Sequence, residues 1–166
     1  MTKSIFVALA ALAVAVPCSG QQRQVSGYAN YVNPMHSSQT SWGGGAQYQL
    51  TWGSQQSPVR LNTALAGDYQ RQENRGQSQT DVSYDMTLQP GGNGAVTPYV
   101  GGSVSANWLS GDGVPSGAKL GLQYVLGAQL KPDSQGPVSL LVEVRPGYVK
   151  TQAHSTTGRI GVAFTM

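Results

Sequence analysis

Polar and apolar positions alternate along this chain with a period of two. In its closing stretch Ile160, Val162, Phe164 and Met166 share one parity, while Arg159, Gly161, Ala163 and Thr165 share the other. Successive side chains of a strand point to opposite faces, so this spacing predicts a strand with one apolar face and one polar or small face. An edge strand of this kind leaves backbone groups unpaired, a hazard that closing the sheet into a barrel removes.

The same period predicts seven earlier strands. Gln24 to Val32, holding Tyr28, Tyr31 and Val32, is the least regular. Gly44 to Trp52 sets Ala46, Tyr48, Leu50 and Trp52 against Gln47, Gln49 and Thr51. Val59 to Gln70 sets Leu61, Leu65 and Tyr69 against Arg60, Asn62 and Asp68, and Thr80 to Gln89 sets Val82, Tyr84, Met86 and Leu88 against Asp81, Ser83, Asp85 and Thr87. Val96 to Trp108 and Lys119 to Lys131 follow, the latter with Leu120, Leu122, Tyr124, Leu126, Ala128 and Leu130 in unbroken alternation. Val138 to Lys150 sets Val138, Leu140, Val142, Val144 and Tyr148 against Ser139, Glu143 and Arg145. Gly158 to Met166 is the eighth.

The connections fall into two sets. Residues 53–58, 90–94 and 132–136 are tight and marked by Pro or Gly, whereas 33–41, 71–78, 109–117 and 151–156 are mostly longer. Hairpin-length connections between an even number of strands predict an all-β, eight-stranded, antiparallel up-and-down barrel. Short turns at one end and longer loops at the other are the asymmetry of transmembrane barrels. After the first 20 residues no apolar run approaches the roughly 20 residues that a membrane-spanning helix needs, so any span must be made of strands.

The two faces then acquire separate meanings. Tyr48, Trp52, Tyr69, Tyr84, Trp108, Tyr124, Tyr148 and Phe164 lie on the apolar face and are expected as interfacial aromatics, since a Tyr or Trp ring can meet hydrocarbon while its polar atom stays wet. A soluble barrel alternates too, but should carry charge on its outer face; here the polar set is mostly neutral or small. The charged members of that set are Arg60, Asp68, Asp81, Asp85, Lys119, Glu143, Arg145 and Arg159. Eight strands enclose an interior just wide enough for side chains to fill, so these charges are expected to pair as a plug. A narrow pore for ions or small solutes is the alternative; with the faces reversed, the chain would be a soluble periplasmic barrel carrying small lipophilic ligands.

The leading segment is of another kind. Lys3 precedes the apolar run Ile5 to Val16, and Pro17-Cys18-Ser19-Gly20 closes it. This order reads as a secretory signal peptide over 1–20, leaving a barrel over 21–166. Cys18 also suggests the lipidated first residue of a lipoprotein, but Pro17 stands where such signals place a small residue. Once Cys18 leaves with the signal the mature chain has no cysteine, hence no disulfide framework and no thiolate chemistry. Charged residues are 10% and hydrophobic ones 39%, both below the levels of ordinary soluble domains. Removing Lys3 takes the net charge from +3 to +2, with the cations scattered singly, so no nucleic-acid footprint is expected.

Candidate chemistry is sparse. The only histidines, His36 and His154, stand beside Ser37, Ser38 and Ser155, with Glu143 as a conceivable orienting acid for a lipid-modifying hydrolase. Both histidines fall in predicted loops, and adjacent strand residues face opposite ways, so no enzyme is expected. Asp112 between two glycines reads as a turn rather than a calcium site, and no metal or cofactor is expected.

Thr97-Pro98-Tyr99-Val100-Gly101-Gly102, the stretch Leu140 to Tyr148, and Gly161-Val162-Ala163-Phe164 near the end give the chain a family resemblance. It resembles the outer membrane protein β-barrel domain family, small eight-stranded barrels of Gram-negative envelopes. The resemblance implies outer-membrane localisation, contact with outer-membrane lipid, and periplasmic chaperones and the barrel-assembly machinery as partners. It also implies an assembly signal in Phe164 and Met166, although such terminal residues are most often aromatic and this one is Met. Members include anchors, adhesins, small pores and a few lipid-modifying enzymes, so the resemblance names no external ligand.

Overall fold

The computed structural model describes residues 21–34, 40–72, 77–92, 94–111, 117–133, 136–149 and 155–166. The leading segment, Cys18, His36, Asp112 and His154 lie outside the described residues. Eight strands form a closed barrel: β1 (Gln22–Pro34), β2 (Ser41–Trp52), β3 (Val59–Gln72), β4 (Ser78–Pro90), β5 (Val96–Ser110), β6 (Ala118–Leu130), β7 (Val138–Val149) and β8 (Ser155–Thr165). Each pairs antiparallel with its neighbours in sequence, and β1 closes on β8 with Val25 opposite Phe164 and Ser26 opposite Ala163.

All eight predicted strands are present, with extensions at several ends. β2 begins at Ser41 because Trp42 continues the outward parity through Gly44 to Ala46. Glycines at 43–45 hide that continuation in the sequence. β8 begins at Ser155, where Ser155-Thr156-Thr157 lacks any apolar residue to mark the period.

The register is staggered around the barrel. A path of paired residues that leaves β1 at Gln24 runs through Gln49, Ala64, Asp85, Ser103, Gln123, Gly147 and Ser155. It returns to β1 at Pro34, ten residues further on. Such a shear requires strands tilted by roughly 35–45° to the barrel axis.

Alternation sorts the side chains as in a membrane barrel and opposite to a soluble one. Leu88, Val100, Leu120, Leu122, Leu126, Val142, Ile160 and Phe164 are exposed on the outside. The buried inward set is largely Gln, Asn, Ser, Thr and charged residues, relieved by Ala64, Ala66, Val125, Leu141 and Ala163. The parity expected to face lipid is therefore the outer one, and a barrel with an apolar lumen is ruled out.

Two tyrosines break the small-inward pattern. Tyr28 is paired with Gly45 on β2 and Gly161 on β8, while Tyr99 is paired with Gly127 on β6. Each ring lies across a bare backbone: a Cβ on Gly127 would sit 2.5 Å from Tyr99 Cζ, and one on Gly45 2.8 Å from Tyr28 Oη. Glycine here is a matter of close approach by a neighbouring side chain.

Candidate functional site: the barrel interior

The register explains how distant residues meet. Tyr99 on β5, Gly127 on β6, Glu143 on β7, Arg159 on β8 and Asn30 on β1 follow one another along a single line of pairing. Tyr99 reaches over Gly127 and donates from its hydroxyl to Glu143 Oε1 at 2.7 Å. By the same device Tyr28 reaches over Gly45 and donates to Asp68 Oδ2 at 3.1 Å.

Two arginines join these acids. Arg145 donates through Nε to Glu143 Oε2 and through Nη2 to Asp85 Oδ2, both at 2.7 Å. Arg159 donates through Nη2 to Asp68 Oδ2 at 2.5 Å, and its Nη1 lies 3.6 Å from Glu143 Oε2. The Arg159 guanidinium also stands 4.5 Å from the centre of the Tyr28 ring, a cation–π contact. Asn30 completes the Asp68 carboxylate by donating to Oδ1 at 2.7 Å. Asp81 faces Asp68 across the β3–β4 pair.

The result is a continuous chain from Asn30 through Asp68, Arg159, Glu143 and Arg145 to Asp85, made of charge-assisted hydrogen bonds except between Arg159 and Glu143, which are joined by an ion pair alone. Burial makes geometry decisive here, since a buried charge is tolerated only where hydrogen bonds replace water. Arg145 is 1% exposed and Arg159 5%.

Of the eight charges expected inside, the structure joins Asp68, Asp85, Glu143, Arg145 and Arg159 and sets Asp81 alongside. It does not bring Arg60 or Lys119 into this cluster, which corrects the expectation that all eight pair together. Arg60 opens β3 at the short-turn end, with Nη2 3.4 Å from the carbonyl oxygen of Gly92. Lys119 opens β6 at the long-loop end, half-buried, with its backbone carbonyl accepting from Asn107. Parity gives the face of a charge, whereas its height follows from strand tilt and register. Tyr28, Asn30 and Tyr99 were missed as partners, although each shares the parity of its strand's polar residues.

Toward the short-turn end the interior becomes an amide and hydroxyl lattice. Asn62 donates to Gln89 at 2.9 Å and accepts from Thr51 at 2.8 Å, and Gln129 donates to Gln24 at 2.8 Å.

The expected interfacial aromatics all lie on the outward parity. Trp52 and Phe164 stand near the short-turn end, and Tyr69, Trp108 and Tyr148 near the long-loop end. Trp52 Nε1 donates to Thr63 Oγ1 at 2.9 Å. Tyr48, Tyr84 and Tyr124 lie toward the middle of their strands, again because alternation does not report height. Tyr84, Tyr124 and Tyr148 line an outward groove of about 720 Å³ with Met86, Val104 and Leu122. At the long-loop end the rings of Tyr31 and Trp42 meet at 4.6 Å between centres.

No family model and no curated protein sequence matches this chain. Among solved structures it is similar to Neisserial surface protein A (NspA), with 16% identity, 89% of this chain and 97% of that one covered, and a TM-score of 0.59. It is also similar to the N-terminal β-barrel domain of Pseudomonas aeruginosa OprF, with 13% identity, 86% and 97% coverage and a TM-score of 0.60. A third likeness is to the outer membrane enzyme PagL, with 13% identity, 85% and 98% coverage and a TM-score of 0.54. At these identities the likeness is one of fold. The chain has the fold of the small eight-stranded outer-membrane β-barrels, a fold that an outer membrane enzyme also has, so fold alone assigns no activity.

Proposed function

We propose that this protein is an integral outer-membrane barrel of structural or surface-exposed role, its interior plugged by the Asp68–Arg159–Glu143–Arg145–Asp85 network. The carrying observation is the reversal of the usual burial pattern: large apolar side chains cover the outside while the interior Arg145 and Arg159 are bonded to Asp68, Asp85 and Glu143. Such an outer face belongs in hydrocarbon, because in water it would drive aggregation. The short turns then face the periplasm and the long connections the exterior. The proposed partners are outer-membrane lipid and, during biogenesis, periplasmic chaperones and the barrel-assembly machinery, with Phe164 and Met166 as the terminal signal. A signal peptide over 1–20 would supply export.

The network favours a plug over a pore, since an ion would have to displace several charge-assisted bonds to pass. The proposed role is non-catalytic. The protein should remain in washed outer membranes and migrate differently on gels before and after heating; release with the soluble periplasmic fraction would overturn the membrane reading. In planar bilayers it should give little or no steady conductance. Reproducible conducting steps, with selectivity altered by substitution of Glu143 or Arg145, would establish the pore instead.

A further inference from the structure

Among the described residues three arginines are buried, and they are not treated alike. Arg145 and Arg159 each engage carboxylates, but among the described residues Arg60, 4% exposed, makes no ion pair. Its Nη2 has the long contact with the Gly92 carbonyl oxygen, and its buried Nε has no hydrogen-bond partner among the described residues. A guanidinium withdrawn from water without an anion is an unbalanced charge.

Arg60 lines a small cup at the short-turn end of the lumen together with Lys131, Gln22, Gln49, Gln89 and Gln129. Among the described residues no carboxylate lines it; Asp133 sits in the adjoining turn and outside the cup. Gln89 accepts from Asn62 through Oε1, which fixes the orientation of its amide and leaves the NH₂ as a donor. The clear space is about 10 Å³, room for one water-sized atom. A whole organic anion does not fit in that volume, but one oxygen of a carboxylate does, with the rest of the molecule outside the mouth.

We propose that this mouth is a carboxylate-binding site in which Arg60 receives one oxygen through its guanidinium, assisted by the Lys131 ammonium and the Gln89 amide. Arg60 is placed at this mouth by its position near the start of β3 and by the contact of its Nη2 with the Gly92 carbonyl oxygen. The chemistry of the site suits a free small acid or the carboxylate end of a short chain reaching the barrel from the short-turn side.

The test uses the folded full barrel in neutral detergent micelles, with ionic strength held constant, and reads arginine Nε–H and glutamine amide resonances by NMR. Sodium acetate should move the Arg60 Nε–H and the Gln89 amide saturably and leave those of Arg145 and Arg159 in place. K131Q should raise the midpoint roughly threefold, as expected for a half-screened charge contact. R60Q should abolish the saturable Gln89 shift; where it fails to fold, K131Q and the arginine selectivity carry the test. Alanyl-alanine distinguishes the sources: a matching shift shows that chain-end carboxylates reach the site, and a response to acetate alone restricts it to free small acids. A linear, unsaturating drift, an equal movement at the exposed Arg71, or an unchanged Gln89 response in R60Q would show an adventitious ion only and overturn the proposal.

Discussion

A single arginine carries much of the interior. Arg145 spans Glu143 and Asp85 from within the barrel, so its removal leaves two buried carboxylates short of a cation. Breaking a buried pair from one side costs about 3–5 kcal/mol. R145M should therefore lower the urea stability of the barrel in lipid vesicles by about that amount. Y99F removes one hydrogen bond to a charged group and should cost less, about 1.5–3 kcal/mol. A loss for Y99F equal to or above that of R145M would mean that the tyrosine, and not the ion pairs, organises the cluster. The acids and arginines were legible in the sequence, because a charge on the polar parity of a barrel strand has nowhere else to go. Tyr99 was legible in principle, sharing the parity of Gly101 and Ser103, but an aromatic ring reads as lipid-facing until the facing glycine is known.

Between neighbouring strands, glycine sets which side chains can cross. Tyr99 passes over Gly127 to Glu143, and Tyr28 passes over Gly45 to Asp68, so each tyrosine bonds an acid two strands away. A valine at Gly127 would put side-chain atoms where the Tyr99 ring lies. G127V should cost about 1–3 kcal/mol by overpacking. The double variant Y99A/G127V should then lose less than the sum of the two single losses, because the ring and the valine compete for one space. Simple additivity in equilibrium unfolding would refute the crossing. These arrangements were not legible: alternation fixes the face of every residue yet leaves the register free, and it is register that places Gly127 between Tyr99 and Glu143. The same gap explains Arg60, whose parity was readable but whose place at the end of the lumen was not.

For the molecule as a whole, the decisive question is which solvent each face meets. Leu122 and Gln123 are adjacent in β6 and point to opposite sides, Leu122 57% exposed on the outside. Gln123 pairs with Ser103, which pairs with Asp85, so an added cation there would enter the line of pairing that already holds an acid. An arginine at Leu122 would have to leave water for hydrocarbon. Near the bilayer midplane L122R should cost about 2–4 kcal/mol in folding into lipid, and L126R or V142R should behave alike. Q123R should be penalised less, the interior supplying acceptors for the guanidinium while the packed lumen limits its length. In detergent-free buffer the order says nothing about the membrane, so the measurement must be made in vesicles. If L122R were tolerated there and Q123R ruinous, the outer face would not be meeting hydrocarbon. The apolar belt would then have to be covered by another protein surface, and the interior network would serve only to hold the strands in register.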